Sequence, residues 1–151
     1  MKFYVGEIKL KVRRKKGTIN LRPFLTEIIN KSGIRNGHMI IQALHSTAGL
    51  IGQEDEKGIL QKDLPELLDR LVPKSVKYDH DNFANRHPRV GPGERKNGKA
   101  HLEYLLIGHH SLALTVQDYK VELGDWSSVL LIDFDPTSRK SRKVKVSIMG
   151  E

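Results

Sequence analysis

The C-terminal part of the chain decides the fold. Residues 109–149 have the sequence HHSLALTVQDYKVELGDWSSVLLIDFDPTSRKSRKVKVSIM. This stretch contains four short alternating or apolar runs, at 109–117, 120–123, 126–134 and 142–149. Each run is typical of a β-strand, and turn residues such as those of Asp135–Ser138 separate them. Strands joined by such short turns pair antiparallel, so the sequence predicts an antiparallel sheet.

Three more strands and one helix are predicted upstream. Residues 3–14 alternate apolar and polar side chains, whereas 38–45 and 49–52 are short, mostly apolar runs. The helix is indicated by apolar residues at helical spacing within 21–29. Its boundary signals are Thr18 or Asn20 as N-cap, Pro23 in the first turn and Gly33 at the end.

Two further helices follow. Leucines at spacings of three and four predict a helix that begins after Asp55, is broken or kinked at Pro65 and ends before Pro73. Residues 78–98 form a long polar loop, and a short helix is predicted over 99–107. The predicted order is β-α-β-β-α-loop-α-β-β-β-β, which is an α+β fold in a single domain spanning residues 1–151.

Composition excludes several classes of protein. The chain has 151 residues, 38% of them hydrophobic, and no cysteine. Disulfide scaffolds, thiolate zinc sites, iron–sulfur clusters and cysteine nucleophiles are therefore excluded, and any metal ligands must be His, Asp or Glu. No stretch has the continuous apolar character of a signal peptide or membrane span, so we expect a cytoplasmic protein with no membrane partner.

The formal net charge is +8, which favours anionic partners. Basic residues concentrate in 9–16 and 139–145, where they alternate with apolar residues as on half-exposed strands. Solvated strand faces explain this pattern, and a nucleic-acid-binding stripe is the alternative. Aromatic residues are only 6% of the chain and are not interleaved with the basic runs, so nucleic acid is the less favoured partner.

Three histidines lie at predicted element boundaries. His45 ends an apolar strand, His80 lies at the entrance of the long loop, and His101 is near the start of the third helix. Each alone is typical of a hydrogen-bonded structural histidine, and no recognised metal-ligand spacing is present. Carboxylates flank His80 on both sides, which suits an oriented imidazole, a bound divalent cation or a solvated loop. Ser46 and Thr47 follow His45, and the three side chains together suit an anion.

Taken together, these stretches resemble the YjbQ family, small proteins described as secondary thiamine-phosphate synthases. The resemblance extends over the whole chain. It is carried by His45–Leu50 with Glu54–Asp55, by Asp63–Leu64 with Leu71–Pro73, by Asp79–His80, by Asn97–Leu102 with Leu106–Gly108, and by Leu123–Trp126 with Asp135, Arg139 and Arg142. One departure bears on substrate choice, since Gly124-Asp125-Trp126-Ser127 stands where the family usually has Gly-Thr-Trp-Gln.

The resemblance implies a mostly antiparallel β-sandwich or barrel-like sheet with about three helices, assembled as a homotrimer. It also implies a transferase activity, the joining of hydroxymethylpyrimidine diphosphate to thiazole phosphate, at a histidine-rich pocket. The alternatives are a metal-dependent phosphohydrolase and a non-catalytic trimeric module that binds small anions or nucleic acid.

The chemistry implied by the resemblance assigns roles to particular residues. Catalytic groups are expected from His45, Glu54, Asp79, His80 and His101. Contacts to the phosphorylated substrate are expected from Ser46, Thr47, Asn97, Trp126, Arg139 and Arg142, with Trp126 stacking on a flat ring. A divalent cation, Mg²⁺ or Zn²⁺, would neutralise the leaving diphosphate, and the three histidines are its candidate ligands.

Overall fold

The fold contains eight strands and three helices in the part of the chain that the computed structural model describes, residues 1–12, 17–86, 90–91, 93–135 and 141–151. The strands are β1 (Lys2–Leu10), β2 (Thr18–Asn20), β3 (Gly37–Ala43), β4 (Ala48–Glu54), β5 (Ser111–Gln117), β6 (Lys120–Val121), β7 (Ser127–Asp133) and β8 (Arg142–Gly150). The helices are α1 (Arg22–Ser32), α2 (Leu64–Leu71) and α3 (Gly98–Ile107). A π-helical turn, Ile59–Asp63, precedes α2, and a 3₁₀ turn, Asp79–Asp81, precedes α3.

The strands form two antiparallel sheets that curl into a half-barrel. The larger sheet has the order β1-β8-β3-β5-β6, and the smaller one has the order β2-β7-β4. A bridge between Leu50 and His109 joins the two sheets, because the N–H of each donates to the carbonyl of the other at 2.8 and 2.9 Å. The predicted α+β class and antiparallel sheet are confirmed.

Helix α1 packs its buried face on the apolar core of the half-barrel. Leu25, Ile28 and Ile29 are its buried residues, and they belong to one apolar cluster with side chains of β1, β3, β4, β7 and β8. The helix ends at Gly33, which has a left-handed φ of 62° that glycine adopts without strain. The sequence signals of Pro23 and Gly33 therefore mark this helix correctly.

One strand was not predicted, and two predicted strands are clearly shorter in the structure. Thr18–Asn20 forms the strand β2, although Thr18 and Asn20 were predicted as helix caps. Asn20 still serves the helix, because its Oδ1 accepts the Arg22 N–H at 2.9 Å. A strand of three residues is too short for a period-two pattern to reveal. The strand predicted over 3–14 ends at Leu10, and the one predicted over 120–123 ends at Val121.

Helix α3 lies against β4 through two glycines. A Cβ built on Gly49 would be 2.7 Å from the Gly108 Cα and 3.0 Å from the Tyr104 ring. This close approach places the end of α3 directly on the strand that follows the His45–Thr47 segment. Among the described residues, no helix is long and apolar enough to cross a membrane.

We predict that Gly49→Ala lowers the free energy of unfolding by about 1–3 kcal/mol, because the added methyl group collides with backbone that cannot move freely. Gly52→Ala is the matched control on the same strand, since a Cβ there meets nothing within 4 Å. Urea unfolding measures both. Equal stability of the two variants would contradict close packing of α3 on β4.

Candidate functional site

A buried ion pair joins the two sheets at one end of the half-barrel. The Arg142 guanidinium donates from Nε to Asp133 Oδ2 at 2.8 Å and from an Nη to Oδ1 at 2.5 Å. Both residues are at most 5% exposed. The same guanidinium lies 3.4 Å from Thr47 Oγ1 and donates to the Asp135 carbonyl at 3.2 Å. The fork of Arg142 is therefore engaged by protein groups, and Thr47 lies beside it.

Asp135 connects this ion pair to the start of α3. Its N–H donates to Asp133 Oδ1 at 3.0 Å. Its carboxylate accepts hydrogen bonds from Arg95 at 3.1 Å and from the Asn97 side-chain amide at 3.2 Å. Asn97 immediately precedes α3, so the position of the first helical turn is set from the end of β7.

Two of the three predicted histidines are in contact. The ring centroids of His80 and His101 are 4.5 Å apart, with an angle of 39° between the ring planes. His80 Nδ1 lies 3.2 Å from Asp81 Oδ1, and the same oxygen accepts the Gly98 N–H at 2.8 Å. An N–H at Nδ1 satisfies the carboxylate, which leaves Nε2 of His80 available to a ligand. We call His80 and His101 the histidine pair.

The histidine pair has an electrostatic environment that keeps His101 neutral. Burial, the neighbouring His80 and the Arg86 guanidinium lower the pKa of His101, against the opposing effect of Asp135 and Glu94. Burial raises the pKa of Asp81, but the hydrogen bonds from the Gly98 N–H and His80 outweigh it, so the net shift is downward. An ionised carboxylate thus orients one imidazole while the other carries no charge at neutral pH.

Glycine at position 98 allows this contact. A Cβ there would be 2.8 Å from the Tyr78 Cβ, 3.1 Å from the His80 Cβ and 3.2 Å from Asp81 Oδ1. A larger residue would push the 3₁₀ turn away from α3. The histidine pair therefore depends on the close approach of these two segments.

His45 has a different role in the structure. Its Nε2 accepts the Lys143 N–H at 2.7 Å, so the imidazole takes the place of a strand partner where β3 ends beside β8. Burial and the adjacent Arg142 lower the pKa of His45, which favours the neutral acceptor form. Among the described residues, the ring contact joins His80 to His101, whereas the hydrogen bond of His45 is to the backbone of Lys143, the residue after Arg142.

Two predicted site residues lie at the opposite end of the smaller sheet. Glu54 ends β4 and pairs with Ser127, whereas Ala48 at the start of β4 pairs with Asp133. Six residues of extended strand separate these ends by about 20 Å. Trp126 directly precedes Ser127 and is 77% exposed. Within one chain, Glu54 and Trp126 are therefore far from the ion pair and the histidine pair.

The remaining predicted residues lie as follows. Ser46 and Asp79 are exposed, and the carboxylate in contact with His80 is that of Asp81. Arg139 lies outside the described residues, so its expected contact with phosphate stays a prediction. Among the described residues, no three His, Asp or Glu side chains are grouped so that they could hold a metal ion. The metal expected at the three histidines stays a prediction.

Sequence reasoning did not assign Asp81, Arg86, Arg95 and Asp133 to the site. Asp81 is a sequence neighbour of His80, but so is Asp79, so adjacency alone does not distinguish the two carboxylates.

The burial of Arg142 could have been predicted from the sequence pattern of its strand. Side chains two residues apart lie on one face of a strand, so Arg142 shares the inward face of Val144, Val146 and Ile148. An arginine on that face requires a buried carboxylate, which Asp133 supplies.

The family model and the similar proteins all point to the same family. Residues 6–151 match the family model described as UPF0047 protein YjbQ-like. A UPF0047 protein of Methanothermobacter thermautotrophicus is 27% identical over all of this chain and 95% of its own length. A UPF0047 protein of Archaeoglobus fulgidus is 32% identical over 70% of this chain and 75% of its own length.

Solved structures have the same fold. A YbjQ-like protein of unknown function from Sulfolobus solfataricus superposes with a TM-score of 0.81 and 26% identity, over 99% of each chain. An uncharacterised YjbQ/UPF0047 protein from Clostridium acetobutylicum gives 0.76 and 25% identity, over 95% of this chain and 99% of that one. These similarities establish the fold and the relatives, and they name no substrate.

We predict that Arg142→Met lowers the free energy of unfolding by about 3–5 kcal/mol, because Asp133 is left as a buried, unpaired charge. The double variant Arg142→Met/Asp133→Leu should regain most of this loss. Arg35→Met is the matched control, since its ion pair with Asp118 is about 60% exposed on both sides and should contribute less than about 1 kcal/mol. Denaturant unfolding of the wild type and the three variants measures these differences. Equal losses of unfolding free energy for Arg142→Met and Arg35→Met would contradict the buried ion pair between Arg142 and Asp133.

Proposed function

The chain belongs to the YjbQ-like family of UPF0047 proteins, and we propose that it is an enzyme that acts on a small phosphorylated substrate at the histidine pair. The observation that carries the proposal is the contact between His80 and His101, with His80 oriented by an ionised Asp81. Two adjacent imidazoles, one oriented by a carboxylate, are suited to hydrogen bonding and proton transfer. A structural histidine does not require this arrangement.

Cationic side chains beside the pair support a phosphorylated substrate. Arg86 and Arg95 are both partly buried, and Arg86 is close enough to lower the pKa of His101. Guanidinium groups bind phosphate through paired N–H donors and remain charged at all relevant pH values. Their partners Glu94 and Asp135 are carboxylates that hold them beside α3.

The reaction that the family resemblance suggests is the condensation of hydroxymethylpyrimidine diphosphate with thiazole phosphate. The thiazole ring nitrogen would attack the methylene carbon, the bond from that carbon to the diphosphate oxygen would break, and diphosphate would leave with the electron pair. Charge on the leaving group would be stabilised by the arginines and by N–H donation from His101. The described residues offer no three-ligand metal site, so no step is assigned to a protein-bound metal.

A homotrimer is part of the same proposal. The resemblance implies it, and edge strands such as β1 and β6 leave backbone groups that assembly can cover. Static light scattering should then give three times the chain mass of 17.2 kDa.

The described basic strands favour the solvated-face interpretation over nucleic-acid binding. Lys9 lies directly opposite Lys143 in the β1–β8 pair, which suits a positive stripe. However, the Glu7 carboxylate on the same strand forms ion pairs with two lysines. It lies 2.8 Å from the Lys145 ammonium group and 3.7 Å from that of Lys9. Residues 13–16 of the basic run are outside the described part of the chain.

We predict that inorganic pyrophosphate binds more tightly as the pH falls below about 6.5, because His101, whose pKa is lowered, gains its proton only there. His101→Gln should remove most of this pH dependence and weaken binding at pH 6 on the order of tenfold, one charged hydrogen bond's worth. Isothermal titration calorimetry measures the affinity. The matched control is His38→Gln, which replaces an exposed histidine on β3. Protonation of pyrophosphate itself affects binding to this variant and to His101→Gln identically. Parallel pH curves for the wild type and His101→Gln would refute binding at this pair.

We also predict that the purified protein converts hydroxymethylpyrimidine diphosphate and thiazole phosphate to thiamine phosphate in buffer containing Mg²⁺. His101→Gln should lower the rate by about 10²-fold, as expected for loss of a hydrogen-bond donor to the leaving group, while His38→Gln leaves it unchanged. Chromatography of thiamine phosphate measures the rate for the wild type and for each variant. Absence of product with a protein that binds pyrophosphate would reject this reaction and retain the phosphorylated-ligand site.

A further inference from the structure

The stretch of chain between α2 and the 3₁₀ turn is fastened at both ends to the first turn of α3. At its start, the Lys99 ammonium group donates a hydrogen bond to the Val72 carbonyl at 2.5 Å. At its end, the Gly98 N–H donates to Asp81 Oδ1 at 2.8 Å. Two consecutive residues of α3 thus hold both ends of this stretch. We call residues 72–81 the His80 segment.

Lys99 also joins α2 to α3. Its ammonium nitrogen lies 2.8 Å from Asp69 Oδ1 on α2 and 2.7 Å from Glu103 Oε1 on α3. Val72 directly follows α2, so its carbonyl is one of the acceptors at a helix C-terminus that the helix itself leaves unsatisfied. A cation is favoured there, because the C-terminus is the negative end of the helix dipole. Three acceptors therefore use the three N–H donors of Lys99.

The Lys99 ammonium group is charged and largely removed from solvent. Its side chain is 19% exposed, and that of Glu103 is 11% exposed. Burial lowers the pKa of Lys99, but the hydrogen bonds to Asp69 and Glu103 outweigh it, so the net shift is upward. Lys99 lines a cleft between α2 and α3, but an ammonium group with all its donors engaged has none left for a ligand in that cleft. Its bonds hold protein segments together instead.

The His80 segment passes around the start of α3. Residues two apart on a helix point about 200° apart, so Lys99 and His101 face opposite sides of α3. The segment begins beside Lys99 and brings His80 against His101 near its end. Between these points, the Tyr78 hydroxyl donates to the Pro73 carbonyl at 2.6 Å, which closes the segment on itself. The course of the segment is thus set by hydrogen bonds at its start, in its interior and at its end.

We propose that Lys99 is a positioning residue for the histidine pair, because it fixes the start of the His80 segment so that His80 meets His101. Lys99 acts through the segment and not by contact with a ligand. This inference rests on the proposed function for the ligand that the pair binds, but the contact of the two rings exists without that ligand. Without the Lys99 ammonium group, the segment is fastened to α3 only at its end, and His80 should lie against His101 for a smaller fraction of the time.

Lys99→Ala tests the proposal through the titration of His101. Burial and the neighbouring His80 lower the pKa of His101, so this pKa should rise towards that of an exposed histidine when the segment loosens. A nuclear magnetic resonance titration of the full chain measures it, with the His101 signal identified by its loss in His101→Gln. A lower stability alone would not move this pKa, because the titration reports on the folded protein.

Addition of propylammonium isolates the effect of the ammonium group, since this ion replaces what Lys99→Ala removes beyond Cβ. Propylammonium chloride should return the pKa of His101 in Lys99→Ala to its wild-type value. Tetramethylammonium chloride at the same concentration should not, because it has no N–H donor. A pKa of His101 that is unchanged in folded Lys99→Ala, or that rises and is not restored by propylammonium, would overturn the proposal.

A second variant covers the case in which Lys99→Ala does not fold because Glu103 is left as a buried, unpaired charge. The double variant Lys99→Met/Glu103→Gln removes the ammonium group and that charge together, so it should fold and raise the pKa of His101 in the same way. A folded double variant with the wild-type pKa of His101 would overturn the proposal.

The matched control is Lys74→Ala. Lys74 belongs to the His80 segment and lines the same cleft, but it is exposed. Its replacement removes the same charge from the same surface without releasing an end of the segment, so the pKa of His101 should stay at the wild-type value. An equal rise in Lys74→Ala and Lys99→Ala would show that loss of charge is sufficient, and it would overturn the positioning role.

Pyrophosphate affinity separates this proposal from the proposed function. Lys99→Ala should weaken binding at pH 6 on the order of tenfold, as expected when the binding geometry is populated about a tenth of the time, and propylammonium should restore it. Pyrophosphate binding by the wild type, together with an unchanged pKa of His101 in Lys99→Ala, would overturn the role of Lys99 and retain the proposed function. A wild type that binds no pyrophosphate, together with a rise in that pKa that propylammonium reverses, would reject the proposed function and retain the role of Lys99.

Discussion

The arrangement of the site depends on the buried ion pair between Arg142 and Asp133. Arg142 begins β8 of the larger sheet, and Asp133 ends β7 of the smaller sheet. Their paired hydrogen bonds therefore fix the two sheets to each other at one end of the half-barrel. Removing either partner leaves a buried charge that costs several kcal/mol, so the sheets have little freedom to separate at this point.

Polar contacts extend from this ion pair to the histidine pair. Asp135 donates to Asp133 and holds Asn97, and Asn97 precedes the helix that carries His101. From the other direction, the Gly98 N–H binds Asp81, which orients His80. Two histidines from different segments are thus positioned by directional bonds to backbone and carboxylates. The apolar core lies mainly under α1 and determines the half-barrel, but it does not determine where these rings meet.

Local patterns predicted the elements whose signals are contained in a few consecutive residues. Helix α1, with Pro23 and Gly33 at its ends, and the strands β7 and β8 are of this kind. The strand β2 has three residues and gains its identity only by pairing with β7, so no local period reveals it. The sequence also placed His80 and His101 at element boundaries. It could not choose between Asp79 and Asp81, because the choice is made by the approach of Gly98, a contact between segments 17 residues apart.

A motif that is continuous in sequence is not a compact site when it lies along a strand. The stretch from His45 to Asp55 contains β4, which places its first and last polar residues at opposite ends of the smaller sheet. The stretch from Trp126 to Asp135 contains β7 and divides in the same way. The two strands are paired, so the early part of one stretch lies beside the late part of the other. Each end of the sheet therefore combines residues from both motifs, with Thr47 near Asp135 at one end and Glu54 near Trp126 at the other. Within a single chain these ends are structurally independent, because no described polar contact runs between them along the apolar interior of β7. A substitution near Trp126 can thus alter that end of the smaller sheet while the ion pair and the histidine pair keep their geometry.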